Sequence, residues 1–292
     1  MQGASGKKIA LVTGANAGLG FETCKGLLQA GFHVIVCARS TEKGQGAVAK
    51  LLVDAPTGST AEAMLLDLAS LDSVRAAAQT FLASERPLSV CVLNAGIMAL
   101  PWQQTVDGFE RQWQVNVLGH VLLCRLLLPA LRAAEATGAR VVHLSSAAHR
   151  RHPQPIDYEA LAAEHRSSED YDRWRAYGRS KLANILFSNE LARLLAEEGS
   201  AITSNAVHPG RVATDLLAKA GGNPSSGIPV EEGARTSIYL AVSPEVEGRS
   251  GGYYAKCQLV TGRMRTPVSS SAEAARALWA ATSSDLGLEQ SL

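Results

Sequence analysis

The sequence predicts a doubly wound α/β fold: a parallel sheet of about seven strands with helices on both faces, forming one domain. Three observations carry that prediction. Short β-rich runs alternate with longer stretches of helical spacing along most of the chain. The β-rich runs are apolar on both faces, as strands buried in a covered parallel sheet must be. The first run leads directly into a glycine-rich turn and a helix.

The elements follow in order. Lys8 to Thr13 reads as a strand, and Gly18 to Ala30 as a helix with Leu19, Thr23, Leu27 and Leu28 on related faces. His33 to Ala38 is a strand, Glu42 to Leu52 a helix, Ala61 to Leu66 a strand and Leu71 to Ser84 a helix. Leu88 to Leu93 is a strand, Asp107 to Ala134 a long helix, and Ala139 to Leu144 a strand. Tyr171 to Glu198 is a second long helix, followed by a strand at Ala201 to Val207 and a helix at Glu231 to Val242. Two stretches break the alternation: polar Ala147 to Asp170, and Pro209 to Pro229, rich in Gly, Ser and Pro around Leu216-Leu217. Each follows the carboxyl end of a strand, the edge at which such sheets bind ligands. Gly221, Gly222 and Gly227 suggest a lid that orders on binding.

The 292 residues are 46% hydrophobic and 19% charged, which suits a globular chain with a large core. Lys plus Arg is 28 against 27 Asp plus Glu, so no basic excess exists to neutralise a phosphate backbone, and no nucleic acid is expected as partner. The five cysteines (Cys24, Cys37, Cys91, Cys124, Cys257) are widely spaced with no CxxC pair. Four of them sit in apolar periodic stretches and read as packed, reduced thiols rather than disulfides or metal ligands, and no metal site is expected. Met1 to Lys8 lacks the apolar run of a signal peptide. Asn116, His120, Arg125 and Pro129 interrupt the most apolar stretch, Val115 to Leu131, so no integral membrane segment is expected. These features together predict a soluble, cytoplasmic protein.

The turn TGANAGLG places Gly14, Gly18 and Gly20 between the first strand and its helix. One glycine serves the tight turn, one lets a diphosphate approach backbone N–H groups, and one lets helix and strand pack closely. The helix end beyond supplies free N–H groups and a positive dipole end. Where a carboxylate at the end of the second strand would hold a ribose 2′-hydroxyl, this chain has Arg39, with Lys43 one helical turn on. A guanidinium matches a 2′-phosphate, so NADP(H) is expected over NAD(H).

Tyr177 and Lys181 stand four residues apart on one helix face. A phenol with a pKa of about 10 needs roughly 3–4 kcal/mol of differential stabilisation to titrate near pH 7–8. A cation about 5 Å away contributes roughly 0.8 kcal/mol in water but about 3 kcal/mol at an effective dielectric near 20. The pair therefore works as acid and base only where water is partly excluded.

TGANAGLG, Leu93-Asn94-Ala95-Gly96, Asn116, Leu144-Ser145-Ser146, YGRSK at Tyr177 to Lys181 and His208-Pro209-Gly210, in this order, resemble the short-chain dehydrogenase/reductase family, whose domain is a Rossmann fold. The wording is most similar to the retinol dehydrogenase-like branch in Cys37-Ala38-Arg39, Asp107 to Glu110, Val115 to His120 and Ser145 to His149. Asp67 to Arg75 bears some likeness to protochlorophyllide reductases. The resemblance implies an NADP(H)-dependent oxidoreductase interconverting a carbonyl and an alcohol on a lipophilic small molecule. Tyr177 would be general acid or base, Lys181 would lower its pKa and hold the ribose, Ser146 would bind the substrate oxygen, and Asn116 would fix a relay water. Gly14, Asn16, Gly18, Leu19 and Gly20 would hold the nucleotide with Asp67 and Leu68 at the adenine, Asn94, Ala95 and Gly96 along the groove, and Pro209, Gly210, Val212 and Thr214 around the nicotinamide. It further implies a homodimer or homotetramer through the two long helices.

Two departures stand out. Leu93 replaces an Asn common in the family, and the step from Ser146 to Tyr177 is lengthened by the polar stretch. Arg150, Arg151 and Arg166 within it suit either an anionic substrate or a solvated face. The other functional readings are an NADP(H)-sensing regulator without turnover and a protochlorophyllide reductase-like ring reductase. The intact Tyr177, Lys181 and Ser146 favour the enzyme, and the Ser146 motif suits an ordinary carbonyl site.

Overall fold

A computed structural model describes residues 6–221 and 223–292; Gly222, one of the three glycines read as a lid, lies outside them. Strands β1 (Ile9–Thr13), β2 (His33–Ala38), β3 (Thr60–Leu65), β4 (Val90–Leu93), β5 (Arg140–Leu144), β6 (Thr203–His208) and β7 (Tyr253–Ala255) pair in parallel. A short β8 (Gln258–Leu259) adds an antiparallel edge, giving eight strands in the order β3-β2-β1-β4-β5-β6-β7-β8. The sequence reading expected about seven. The helices are α1 (Gly18–Gln29), α2 (Thr41–Val53), α3 (Leu71–Leu82), α4 (Arg111–Trp113), α5 (Gly119–Ala133), α6 (Tyr158–Glu164), α7 (Arg173–Glu197), α8 (Asp215–Lys219), α9 (Val230–Val242) and α10 (Ala272–Leu286).

Strand parity builds two cores. In β1, Ile9 and Leu11 join the core under α3, α5, α7 and α10. Ala10 and Val12 join the core under α1, α2 and α9. Full burial of a residue such as Leu11 contributes about 1.5–3 kcal/mol, and the alternation repeats across the central strands. The order reverses between β1 and β4, so the turns after these strands diverge and leave a crevice at their carboxyl ends.

Four departures from the sequence reading have physical causes. The long helix starts at Arg111, not Asp107, because the Glu110 carboxylate accepts the first N–H groups, from Gln112 (2.7 Å) and Trp113 (2.8 Å). Its second turn, Gln114–Leu118, is a π-helical segment with Asn116 in the middle. Arg111–Ala133 is long and apolar enough to cross a membrane, with mean hydropathy 1.5, but 78% of its apolar window is buried within the fold. The polar stretch is not irregular: it contains a 3₁₀ turn, Ala147–Arg151, and α6. Finally, α10 lies on α7, with Trp279 stacked on Phe187 (5.6 Å) and the Arg125 guanidinium of α5 4.4 Å above it. Part of the surface expected to join subunits is thus covered from within the chain.

Candidate active site

The glycine turn is built as its residues demand. Gly14 and Gly18 have φ of +62° and +58°. A Cβ on Gly14 would stand 2.9 Å from the Ala95 Cα, and one on Gly20 would meet the Gly14 carbonyl at 2.6 Å. In front of Gly18 there is only the Thr214 Cγ2 at 3.9 Å, so that space belongs to the cleft. Ala17 precedes α1 without a capping side chain, and the first turn holds no acidic residue. The free N–H groups of this 12-residue helix therefore open onto a cradle that a Cβ would fill, which fits a diphosphate. The Ala15 N–H donates to the Cys37 carbonyl (3.0 Å), tying the turn to the end of β2, where Arg39 and Lys43 stand exposed. Among the described residues the Arg39 guanidinium has no ion-pair partner.

Thr13, which sequence reasoning missed, knits the floor. Its Oγ1 accepts from the backbone N–H groups of Asn94 and Ala95, both at 2.9 Å. Its own proton therefore goes to His120 Nε2 (2.9 Å), which assigns the other proton of that ring to Nδ1, facing the Asn116 carbonyl at 3.3 Å. Burial pushes His120 down to about 3, so the ring stays neutral.

Tyr177 and Lys181 lie on the first half of α7, both buried, facing the carboxyl end of β5. Lys181 Nζ donates to the Leu144 carbonyl at 3.0 Å and lies 5.7 Å from the Tyr177 ring centre. Asn116 is fully buried beside them: its Oδ1 accepts from the Ile97 N–H, and its Nδ2 donates to the Ile97 carbonyl and to Ser180 Oγ, all at 2.9 Å. Ser146 Oγ accepts from the Ala148 N–H at 3.1 Å, capping the 3₁₀ turn, and its side chain also meets the Tyr177 hydroxyl. Burial pulls Lys181 down to about 8. Burial also raises Tyr177 to about 12, against the expected acidification, with only the Ser146 side chain acting in the other direction.

One cavity of about 910 Å³ joins these parts. Gly14, Gly18, Leu19, Gly20, Asn94, Ala95, Gly96, Ser146, Tyr177, Lys181, Pro209, Gly210, Val212 and Thr214 line it, with Met98, Trp174, Leu216 and Leu217 as apolar wall. Asn16, Arg39, Lys43, Asp67, Leu68 and Asn116 do not. Asp67 Oδ1 accepts from the Ala69 N–H (2.9 Å) in a local turn. The Leu68 side chain is buried in the core, against the place where a Cβ on Gly119 would sit. Gly227 is no hinge: a Cβ there would stand 2.5 Å from the Ala213 nitrogen, so it permits close passage of two backbones. Of the three arginines in the polar stretch, Arg150 and Arg151 line the cavity and Arg166 does not.

Comparison with known proteins leads to the same place. Residues 8–160 match the family described as short chain dehydrogenase. The chain belongs to that family. Human WW domain-containing oxidoreductase is 41% identical to this short-chain dehydrogenase over 289 residues, covering 94% of this chain but 66% of that protein. The chain thus spans just under two thirds of that relative's length. Mouse Retinol dehydrogenase 11 is 39% identical over 297 residues, covering 96% of this chain and 87% of that protein. A crystal structure of a Mycobacterium paratuberculosis protein matches the short-chain dehydrogenase fold with a TM-score of 0.77 at 35% identity, covering 98% and 95% of the two chains. The chain thus belongs to a family of oxidoreductases that bind NAD(P)(H), and its relatives include retinol dehydrogenases.

Proposed function

We propose that this chain interconverts a carbonyl and an alcohol on a lipophilic small molecule, using NADP(H), with Tyr177 as proton donor in reduction and acceptor in oxidation. One observation supports it above the others: Tyr177, Lys181 and Ser146 converge on the cavity into which the uncapped end of α1 opens. Bound there, the dinucleotide supplies or takes the hydride. The whole chain is read as one nucleotide-binding domain, and its five free cysteines suit a reducing, cytoplasmic setting.

Gly14, Asn16, Gly18, Leu19 and Gly20 would hold the diphosphate half, with Arg39 and Lys43 on the 2′-phosphate and Asp67 and Leu68 at the adenine. Asn94, Ala95 and Gly96 would line the groove, and Pro209, Gly210, Val212 and Thr214 would hold the nicotinamide end. Ser146, beside Tyr177 in the cavity, would donate to the substrate oxygen where negative charge grows. Tyr177 gives that oxygen its proton, and the Lys181 ammonium, mostly charged at neutral pH, stabilises the phenolate left behind. The Asn116 side chain is taken up by the Ile97 backbone and Ser180, so a relay water toward Lys181 would rest on the Asn116 backbone carbonyl rather than on its amide. Met98, Trp174, Leu216 and Leu217 favour an apolar substrate body.

The test is NADPH oxidation against a panel of retinoid, steroid, lipid aldehyde and quinone carbonyls. Tyr177→Phe should lower kcat by about 10²–10⁴-fold while leaving NADPH affinity nearly intact. A loss below tenfold would remove Tyr177 from the chemistry. Arg39→Asp should reverse the preference to NADH, and an unchanged NADPH preference would overturn that assignment.

A further inference from the structure

The charge of the cavity is not the charge of the chain. Overall the basic and acidic residues nearly balance, at 28 and 27. Yet Lys181, Arg150, Arg151 and Arg211 line the cavity, and no carboxylate does among the described residues. Two of these cations are accounted for by the function proposed above. Lys181 serves Tyr177, and Arg211 follows Gly210 in the loop assigned to the nicotinamide end. Arg39 and Lys43, outside this cavity, take the 2′-phosphate. Arg150 and Arg151 are left over.

Both sit on the 3₁₀ turn that follows Ser146, beside the residues that would touch the reacting carbonyl. Neither forms an ion pair among the described residues. Burial disfavours protonation of His149 and His208, and the charge of nearby Arg150 adds to it. Arg151 lies 5.4 Å over the Trp174 ring, which in turn meets Tyr177 edge-on at 6.4 Å. The one acidic group near Arg151, Asp172, is engaged as the cap of α7 through the Trp174 and Arg175 N–H groups at 2.8 Å. An apolar plate therefore runs from Tyr177 to a guanidinium, with a second guanidinium adjacent in sequence and no salt-bridge partner for either among the described residues. Such forks match carboxylate and phosphate oxygens in pairs, and a partly enclosed cleft focuses their field.

We infer that the substrate is a carbonyl compound whose apolar body carries an anionic group, a carboxylate or a phosphate, held by Arg150 and Arg151. This rests on the reading of the cavity as a carbonyl-reducing site. It goes beyond that reading by naming the second pole of the substrate.

The test compares three substrates of equal chain length at saturating NADPH: an ω-oxo fatty acid, its methyl ester and the corresponding ω-oxoalkyl phosphate. At low salt an anionic substrate should exceed the ester in kcat/KM by about tenfold, the size expected of two partly exposed charge pairs, with most of the difference in KM. The ratio should fall toward one in 0.5 M salt, roughly where the screening length drops below 5 Å, and in Arg150→Gln/Arg151→Gln. Preference for the acid assigns a carboxylate, and preference for the phosphate assigns a phosphate. Equal turnover of all three, indifferent to salt and to the double substitution, overturns this inference and leaves carbonyl reduction standing. Absence of turnover with any of the three, while NADPH still binds, tells against the underlying reading instead. In that event, binding of decanoate, decyl phosphate and decanol to the unliganded protein decides the anion preference without turnover: equal affinities overturn it.

Discussion

Replacing Thr13 with valine removes one hydroxyl from the carboxyl end of β1 and leaves its volume almost unchanged. Thr13 is fully buried, so no cavity opens and water gains no access. What changes is the pairing of three polar groups. The Asn94 N–H keeps a second acceptor, the Val92 carbonyl at 3.0 Å, and loses only part of its bonding. The Ala95 N–H and His120 Nε2 lose their only partner among the described residues, Thr13 Oγ1, at 2.9 Å from each. A buried polar group left unpaired costs about 1–3 kcal/mol, so the substitution should cost about 4 kcal/mol. For a chain of this size that is a fall in Tm of roughly 8 °C. Urea unfolding of wild type, Thr13→Val and Thr13→Ser measures it. The serine keeps all three contacts and loses one methyl, so it should stay within about 1 kcal/mol of wild type. A valine variant within that same margin, or a serine variant as damaged as the valine, would refute the assignment of Thr13 as the floor of the site.

Two further outcomes follow from burial. Trp279→Ala removes the stacked partner of Phe187 and the ring under Arg125, and should cost about 3–5 kcal/mol while promoting self-association in sedimentation; a stable, unassociated variant would show that α10 is not part of the core. Burial holds His120 and His143 at about 3 in the fold, whereas unfolded histidine takes a proton near 6.5. Below pH 6.5 the unfolded chain then binds more protons, so stability falls toward pH 3 by up to about 1.4 kcal/mol per pH unit for each ring, with no contribution above 6.5. A urea midpoint that stays flat between pH 7 and pH 5 would show that these rings take up protons without unfolding.

What the sequence made legible was set by short-range pattern. Strands such as Val34-Ile35-Val36 read correctly because a strand covered on both sides must be apolar on both. β3 departs from that pattern for the reason that it lies on the sheet edge, half-exposed, with Glu62 reaching Arg86 at 2.5 Å. β7 and β8 are three and two residues long, too short to show a period, and owe their pairing to β6. Ala272–Leu286 is rich in Ala and Ser and becomes a helix of the core chiefly through Trp279 and Leu278. Propensity alone gives such a segment no partner. Tertiary contact does.

The site divides along the same line. Glycines at fixed offsets and a Tyr and Lys four apart are local facts, and the structure brings them to one cavity. Desolvation is not local. It comes from β5, the 3₁₀ turn and the π-helical segment closing around α7, none of which the spacing of Tyr177 and Lys181 encodes. That closure raises the phenol to about 12 and lowers the ammonium to about 8, so each group is pushed toward its neutral form. With Lys181 Nζ 5.7 Å from the Tyr177 ring centre, an attraction between phenolate and ammonium at a separation of about 5 Å is worth about 3 kcal/mol at an effective dielectric near 20, enough to bring the phenol back toward its ordinary range and no further. At neutral pH the proton then stays on Tyr177 and the positive charge on Lys181. On the proposed function, a group in that state suits the donation of a proton to a developing alkoxide, while the reverse reaction would first have to ionise it.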